Sequence, residues 1–288
     1  MTTTAVTVPA AARASQLSET RALIGTFLAL LARDLRVLRK QLGQFLVRTV
    51  MQPLLFVFVF AYVFPKIGQG FSGGGGGTGA GAFTTILVPG LIAVSINFQG
   101  IQSVALPLVQ EFSYTKEIED RVLAPVPVMM VGIGKMVTGA IQSLIAAAVV
   151  FPVVYLVHAK GAAPAVHVHN WPLFLVVLVC ASALASAMGL LIGTVFDPRK
   201  ITLLFAVIVL PLTFLGCIYY PWAKLTPIPW LKYLVLVNPL VYMSEGLRAY
   251  LTPQLGHMPT WAYLTALIGG TLALGSLALR LFHRRVVT

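Results

Sequence analysis

Long apolar runs separated by short polar stretches divide the chain into segments of membrane-spanning length. A helix needs about 20 apolar residues to cross the hydrocarbon core of a bilayer. The pattern predicts six such helices, at about 45–64, 83–109, 128–157, 173–195, 201–220 and 261–281. Only 10% of the 288 residues are charged and 58% are hydrophobic, whereas soluble domains carry about 25% charged residues. The sequence therefore predicts an all-α integral membrane protein.

The N-terminal region predicts two features before the first span. Residues 1–17 are rich in Thr, Ala and Val and are expected to form a disordered tail. Residues 18–44 repeat apolar positions at helical spacing, at Leu23, Phe27, Leu30, Leu31, Leu35, Leu38 and Leu42, with cations on the other side, at Arg33, Arg36, Arg39 and Lys40. This pattern indicates an amphipathic helix in the membrane interface. A soluble helix packed on a partner protein is the alternative.

A charged island, residues 111–127, separates the second and third predicted spans. Four of the chain's eight acidic residues lie in it with two cations, and the six are Glu111, Lys116, Glu117, Glu119, Asp120 and Arg121. Because both flanking runs are long enough to span a bilayer, the island must lie at a membrane face. We hypothesise that it is a short helix on which a soluble partner pushes to drive the membrane helices.

Polar and small side chains form stripes within two of the predicted spans. Ser95, Gln99 and Gln102 follow one another at i, i+4 and i+7 in the second span. Polar groups in a membrane face protein or water rather than lipid, so this stripe either lines a passage or packs against another helix. A stripe of Ser182, Ser186, Gly189 and Gly193 in the fourth span predicts close helix packing.

Prolines break residues 221–259 into pieces too short to span the membrane. The segment mixes aromatic and charged residues. Any non-helical backbone that it places at membrane depth must be sheltered by protein or water, and an exposed amphipathic surface helix is the alternative. Glu245 and Arg248 are three residues apart and can pair on one helix face, in either a structural or a gating role.

The basic residues indicate orientation rather than nucleic-acid binding. Six spans place both termini on one side of the membrane. If that side is the cytoplasm, only five of the 20 Lys and Arg residues lie outside, namely Lys66, Lys160, Lys224, Lys232 and Arg248. This distribution agrees with the positive-inside rule. The net charge of +12 therefore does not require nucleic acid as a partner.

Several kinds of chemistry are missing from the sequence. The middle of each predicted span lacks a carboxylate, which argues against proton-coupled transport. The Gly-rich stretch 68–81 lacks the Lys-Ser or Lys-Thr of a phosphate loop. His167 and His169 lack a third metal ligand, and Cys180 and Cys217 are expected to be free thiols. We expect neither catalytic residues nor a metal or cofactor bound by this chain.

The order of motifs after the fifth predicted span resembles the ABC-2 type permeases, the membrane subunits of ATP-binding-cassette exporters. The motifs are Phe214-Leu215-Gly216, Tyr220-Pro221, Leu225-Thr226-Pro227-Ile228-Pro229-Trp230-Leu231, Asn238-Pro239-Leu240-Val241-Tyr242 and Glu245-Gly246-Leu247-Arg248. The charged island is similar to the loop that this family has between spans two and three. The resemblance also implies that residues 221–259, between spans five and six, form re-entrant helices on the outer side of the membrane.

The resemblance implies a function and partners. The chain would be a permease without ATPase activity in the bacterial inner membrane, in a multidrug- or antibiotic-resistance-like branch. A separate cytoplasmic subunit would bind ATP and Mg²⁺, and a second permease, identical or a sister, would pair with this one. Hydrophobic or amphipathic cargo, such as a drug, natural product or lipid, would move outward. Polysaccharide or glycolipid export and gradient-driven transport are the alternatives.

Two sets of site residues are predicted, one for contact with the ATPase and one for translocation or gating. The charged residues of the island are predicted to contact the ATPase. The translocation path or gate is predicted at Ser95, Gln99, Gln102, Asn238, Tyr242, Glu245 and Arg248.

Overall fold

The structure is a computed structural model that describes residues 10–63, 80–112, 127–157, 166–196, 207 and 209–287. Within these ranges the chain is 88% helical and has no strand. The nine α-helices of the described chain are α1 (Ala10–Lys40), α2 (Leu42–Val57), α3 (Ala80–Gln110), α4 (Val128–Leu156), α5 (Trp171–Val195), α6 (Leu210–Phe214), α7 (Pro229–Leu234), α8 (Pro239–Leu251) and α9 (Thr260–Val287). A π-helical turn, Phe58–Val63, continues α2, and short 3₁₀ turns lie at Trp222–Leu225, Val235–Val237 and Pro253–Leu255.

Four helices of the described chain are long and apolar enough to cross a membrane. They occupy Thr85–Gln110, Val128–Leu156, Trp171–Val195 and Thr260–Val286, which confirms the second, third, fourth and last predicted spans. The first predicted span coincides with α2 and its π-helical turn, and α2 alone has 16 residues. Seven residues of the fifth predicted span, 201–206 and 208, lie outside the described residues, and in its described part helix α6 ends at Phe214 instead of continuing to Tyr220. The described structure therefore establishes four candidate spans of the six predicted.

Helix α1 differs in extent from the predicted amphipathic helix. It begins at Ala10, inside the predicted tail, and ends at Lys40, because Gln41 leaves helical geometry with φ −106° and ψ 15°. The early start follows from the Ala-rich sequence after Pro9, since Ala has the highest helix propensity. The remaining residues of the predicted tail, 1–9, lie outside the described residues.

The two faces of α1 are those that the sequence pattern predicts. The apolar positions Leu23, Phe27, Leu30, Leu31, Leu35 and Leu38 are half-buried, while Arg33, Arg36, Arg39 and Lys40 are exposed. The apolar face packs on α4, where the ring of Phe27 lies 3.7 Å from the position that a Cβ on Gly134 would occupy.

Helix α3 lies at the centre of the bundle. In its most apolar stretch 72% of the residues are buried, against 22% in the corresponding stretch of α9. The helix packs on α5, α4 and α8, and its contact with α5 is the most extensive in the fold.

Small residues allow α3 and α5 to touch backbone to backbone, as the stripe in the fourth predicted span indicates. A Cβ on Gly189 would lie 2.8 Å from the carbonyl oxygen of Ile101, and one on Gly193 would lie 3.0 Å from the Cα of Ala105. Ser182 and Ser186 are fully buried in the same helix. In a lipid environment such close packing is a main source of helix association.

Three of the four tryptophans are exposed at the end of the bundle opposite the charged island, which we call the far end. Trp171 begins α5, Trp261 begins α9, and Trp230 lies in α7. Their side chains are 62%, 71% and 68% exposed. Exposed tryptophans near helix ends are typical of a membrane–water interface.

The contact between α3 and α5 predicts that Gly189→Ala destabilises the protein. The added Cβ meets backbone atoms that cannot rotate away, so we expect a loss of about 1–3 kcal/mol in the free energy of unfolding. Gly269→Ala is the matched control, because nothing lies within 4 Å of its Cβ position in α9. SDS titration of both variants in mixed micelles gives the comparison. Equal stability of the two variants would contradict the packing described here.

Candidate functional site

A buried ion pair lies where the charged island meets helices α3 and α4. Glu111 follows the last residue of α3, and Lys135 lies two turns into α4. The Lys135 Nζ atom is 2.5 Å from Glu111 Oε1, and both residues are 8% exposed. Because α3 enters the island and α4 leaves it, this pair joins the two ends of the loop.

Aromatic and cationic contacts tie the start of the island to two further helices. The ring of Phe112 lies 6.0 Å from that of Phe282 in α9, edge to face, and the guanidinium of Arg285 lies 4.6 Å from the centre of the Phe112 ring. Arg285 also donates a hydrogen bond to the carbonyl oxygen of Thr194 near the end of α5. The start of the island is therefore connected to α4, α5 and α9.

Only one of the predicted coupling residues belongs to the described structure, and that residue is Glu111. The other five, Lys116, Glu117, Glu119, Asp120 and Arg121, lie outside the described residues. Sequence reasoning did not identify Lys135, Phe112 or Arg285 as part of this site. A lone cation within an apolar run was the available signal, because such a charge needs a partner in the membrane.

The residues of the predicted polar stripe in α3 have different surroundings. Ser95 Oγ donates to the carbonyl oxygen of Leu91 in its own helix at 2.9 Å. Gln99 Oε1 accepts a hydrogen bond of 3.2 Å from Thr49 Oγ1 in α2. Gln99 and Gln102 line a cleft between α1, α2, α3 and α4, whereas Ser95 does not. A role for these residues in translocation stays a prediction.

At the far end, a second buried ion pair joins three segments of the chain. Glu245 and Arg248 are fully buried in α8 and bonded to each other. The Glu245 carboxylate also accepts hydrogen bonds of 2.9 Å from the backbone N–H groups of Trp222 and Met258. Arg248 Nη2 donates to the carbonyl oxygen of Cys217 at 2.9 Å. The pair thus fixes the chain after α6, helix α8 and the approach to α9.

Asn238 and Tyr242 extend this network. Asn238 caps α8 by accepting a hydrogen bond from Leu240 N at 2.9 Å, and its amide donates to Leu212 O in α6 at 2.6 Å. The hydroxyl of Tyr242 donates to Leu236 O at 2.8 Å. These bonds to backbone groups describe a structural network, and a gating role for it remains a prediction.

The turn at Cys217 and Ile218, whose carbonyl at Cys217 accepts the hydrogen bond from Arg248, packs against α3. Cys217 has φ 52°, a left-handed conformation that is uncommon for residues other than glycine. The next residue, Ile218, lies so close to Gly90 of α3 that a Cβ on the glycine would be 2.5 Å from the Ile218 carbonyl oxygen. Gly90 therefore allows α3 to contact the far-end network directly.

The far-end ion pair predicts a large cost for removing one charge. Glu245→Gln leaves the Arg248 guanidinium buried without a counter-charge, and we expect about 3–5 kcal/mol of lost stability in SDS titration. The double variant Glu245→Gln/Arg248→Met should lose less than Glu245→Gln alone, because no uncompensated charge then remains buried.

Asp34→Asn supplies the matched control for this test. Asp34 pairs with Arg33 at 3.3 Å, and the Arg33 side chain is 48% exposed. Loss of such a surface pair costs less than about 1 kcal/mol. A Glu245→Gln variant as stable as Asp34→Asn would refute the structural role of the far-end pair.

Comparison with known proteins places the chain in a family. The sequence profile of the ABC-2 type transporter family matches residues 25–252. The chain is 27% identical over 206 residues to the inner membrane transport permease YadH of Escherichia coli strain K12, an alignment that covers 70% of this chain and 75% of that protein. The YadH protein of Shigella flexneri matches to the same extent. This chain therefore belongs to the ABC-2 type transporter family and is a multi-pass membrane permease of that family.

Proposed function

We propose that this permease exports hydrophobic or amphipathic cargo across the cytoplasmic membrane, driven by a separate ATP-binding-cassette ATPase that docks on the charged island. The observation that supports this most strongly is the start of the island, where Glu111 is ion-paired with Lys135 of α4 and the ring of Phe112 contacts Phe282 and Arg285 of α9. Because of these contacts, a force applied to the start of the island is transmitted to the helices of the bundle. ATP and Mg²⁺ bind to the ATPase, and a second permease completes the transporter.

The proposed orientation places the island and both termini in the cytoplasm. Arg33 of α1 lines the same cleft as Glu111, and Arg284 and Arg285 lie in the last turn of α9, where Arg285 contacts Phe112. At the far end Lys224 and Lys232 are the cations of residues 221–259 apart from Arg248, whose charge is paired. Positive charge concentrated at one end is the expected mark of the cytoplasmic side.

The proposed coupling uses the rigid parts of the fold. Helices α3 and α4 are joined by the Glu111–Lys135 pair, so displacement of the island moves both. The tight contact between α3 and α5 passes this displacement to α5 and, through Arg285 and Thr194, to α9. Helices that are packed this closely move as rigid bodies, because a close-packed interface switches between discrete arrangements and does not deform continuously.

The proposed cargo class follows from the charges of the spans. Apart from Arg280, Arg284 and Arg285 at the end of α9, Lys135 is the charged residue of the four candidate spans that the structure describes, and it is paired with the carboxylate of Glu111. An apolar or amphipathic molecule needs no charge compensation there, whereas an ionic cargo would. The drug, natural product or lipid that is carried is to be identified by transport measurements.

Docking on the island predicts that Glu117→Arg/Glu119→Arg prevents an ATPase from copurifying with the permease from mildly solubilised membranes. The acidic side chains of the island are proposed to face a cationic surface of the ATPase. Arginines at positions 117 and 119 would repel that surface, so docking should be lost. Mass spectrometry of the copurified proteins identifies the ATPase and measures its amount.

The control for this test is Gln254→Arg/Thr260→Arg, which adds two positive charges at exposed positions of the far end. This variant should retain the ATPase, and size-exclusion chromatography confirms that both variants are folded. Failure to recover an ATPase with the native chain, or equal recovery with both variants, would contradict docking on the island.

A further inference from the structure

An open cleft of about 730 Å³ lies between α1, α2, α3 and α4 at the island end of the bundle. Its rim carries exposed residues from three helices, including Arg33, Gln41, Gln44 and Gln110. Its floor is formed by buried residues, among them Gln99 and Thr138. The cleft therefore leads from the protein surface to the interior of the bundle.

Glutamine is strongly concentrated in this cleft. Six of the chain's ten glutamines line it, namely Gln41, Gln44, Gln99, Gln102, Gln110 and Gln142. We call it the glutamine cleft. On α3 the set extends from Gln110 to Gln99, a distance of about 16 Å along the helix axis. Carboxamides at this depth are costly in a membrane unless they face protein, water or a polar ligand.

One buried group of the floor is left unsatisfied. The hydroxyl of Thr138 has no hydrogen-bond partner among the described residues, although Thr138 is only 7% exposed. Buried hydroxyls normally have a partner. Gln142 lies one turn further along α4 and lines the same cleft, so the two side chains offer a hydroxyl and a carboxamide on one helix face.

The charges of the cleft balance one another. Its lining contains Glu111 with Lys135, which are ion-paired, and Arg33 with Asp34, which are also paired. A charged ligand would find no excess of opposite charge in this lining. Each carboxamide offers both donors and an acceptor, which suits a neutral group with several hydroxyls or amides.

We propose that the glutamine cleft binds the uncharged, hydrogen-bonding head group of an amphiphile, such as a hydroxyl-rich glycoside, that enters from the inner leaflet. This inference rests on the proposed function and specifies the cargo class of the same permease. The head group occupies the space beside Gln99, Thr138 and Gln142, and the alkyl chain remains towards the lipid at the rim, where Val37 is 49% exposed.

The test is photo-crosslinking of the permease–ATPase complex in lipid nanodiscs. The probe is an alkyl glucoside that carries a diazirine on its sugar, and labelled peptides are mapped by mass spectrometry. The proposal predicts labelling within 99–110 and 135–142. It also predicts that a neutral alkyl maltoside competes with the probe more effectively than a trimethylammonium amphiphile of equal chain length.

Thr138→Val/Gln142→Leu is the decisive variant. Valine has nearly the shape of threonine, and the Thr138 hydroxyl has no described bond to lose, so the fold should persist. We expect labelling of the cleft to fall about five-fold or more, the effect of losing at least one hydrogen bond of about 1 kcal/mol. Thr271→Val/Gln254→Leu, which makes the same changes outside the cleft, should leave the labelling unchanged.

Different results would overturn different claims. Labelling spread over lipid-facing helices, or unchanged in Thr138→Val/Gln142→Leu, refutes the binding site. Equal competition by the cationic amphiphile refutes the uncharged head group. The amount of ATPase that copurifies is measured on the same samples, so a failure of the proposed function is seen separately. Cleft labelling without any ATPase would sustain the site and refute the ATP-driven mechanism.

Discussion

The close contact between α3 and α5 is the constraint on which the rest of the structure depends. Lipid chains are as apolar as leucine, so burial from water does not hold membrane helices together, and packing has to do so. Gly189 and Gly193 bring α5 against the backbone of α3 at Ile101 and Ala105. With α3 fixed at the centre, α4 and α8 pack against its other sides.

Both candidate sites are in contact with this central helix or directly follow it. Near one end, Gly90 lies against Ile218, beside the carbonyl of Cys217 that receives Arg248. Directly after the other end, Glu111 binds Lys135. Gly90 and Glu111 are about 30 Å apart along the helix axis, at 1.5 Å per residue. These two contacts place one continuous helix between the island and the far-end network, which is the path that the proposed coupling requires.

The buried charges show how the chain places ionic groups in an apolar fold. Two buried ion pairs among the described residues connect separate parts of the chain. Glu111 and Lys135 join the helices on either side of the island, and Glu245, paired with Arg248, also accepts hydrogen bonds from the backbone of Trp222 and Met258. A buried pair adds little net stability over an apolar pair, but removing one partner is costly. Such pairs fix which segments are adjacent more than they stabilise the fold.

The sequence predicted the parts of the fold that depend on local pattern. The bounds of α4 and α5 lie within two residues of the predicted spans, because the length of an apolar run is a direct signal and Asn170 supplies a helix cap before α5. The stripe of small residues and the two faces of α1 were predicted from residue spacing, because helical periodicity shows which side chains share a face. The start of α1 at Ala10 was not predicted. The alanines there favour a helix, whereas the rest of the N-terminal composition suggests disorder.

The tertiary parts of the candidate site could not be predicted in the same way. The partner of Glu111 lies on the next helix, and Phe112 meets Arg285 near the other end of the chain. The glutamine cleft gathers side chains from α1, α2, α3 and α4, and no spacing within one helix reveals that gathering. The sequence indicated Glu245 and Arg248 as a pair, but their bonds to Trp222, Met258 and Cys217 required the folded chain.

Amide hydrogen exchange on the permease in nanodiscs, with and without the copurified ATPase, tests the central claim most directly. The account predicts that the ATPase slows exchange in peptides covering 113–126, while peptides covering 253–258 at the far end exchange at the same rate in both samples. Unchanged exchange across 113–126 in a complex that contains the ATPase would contradict the claim that the ATPase binds the charged island.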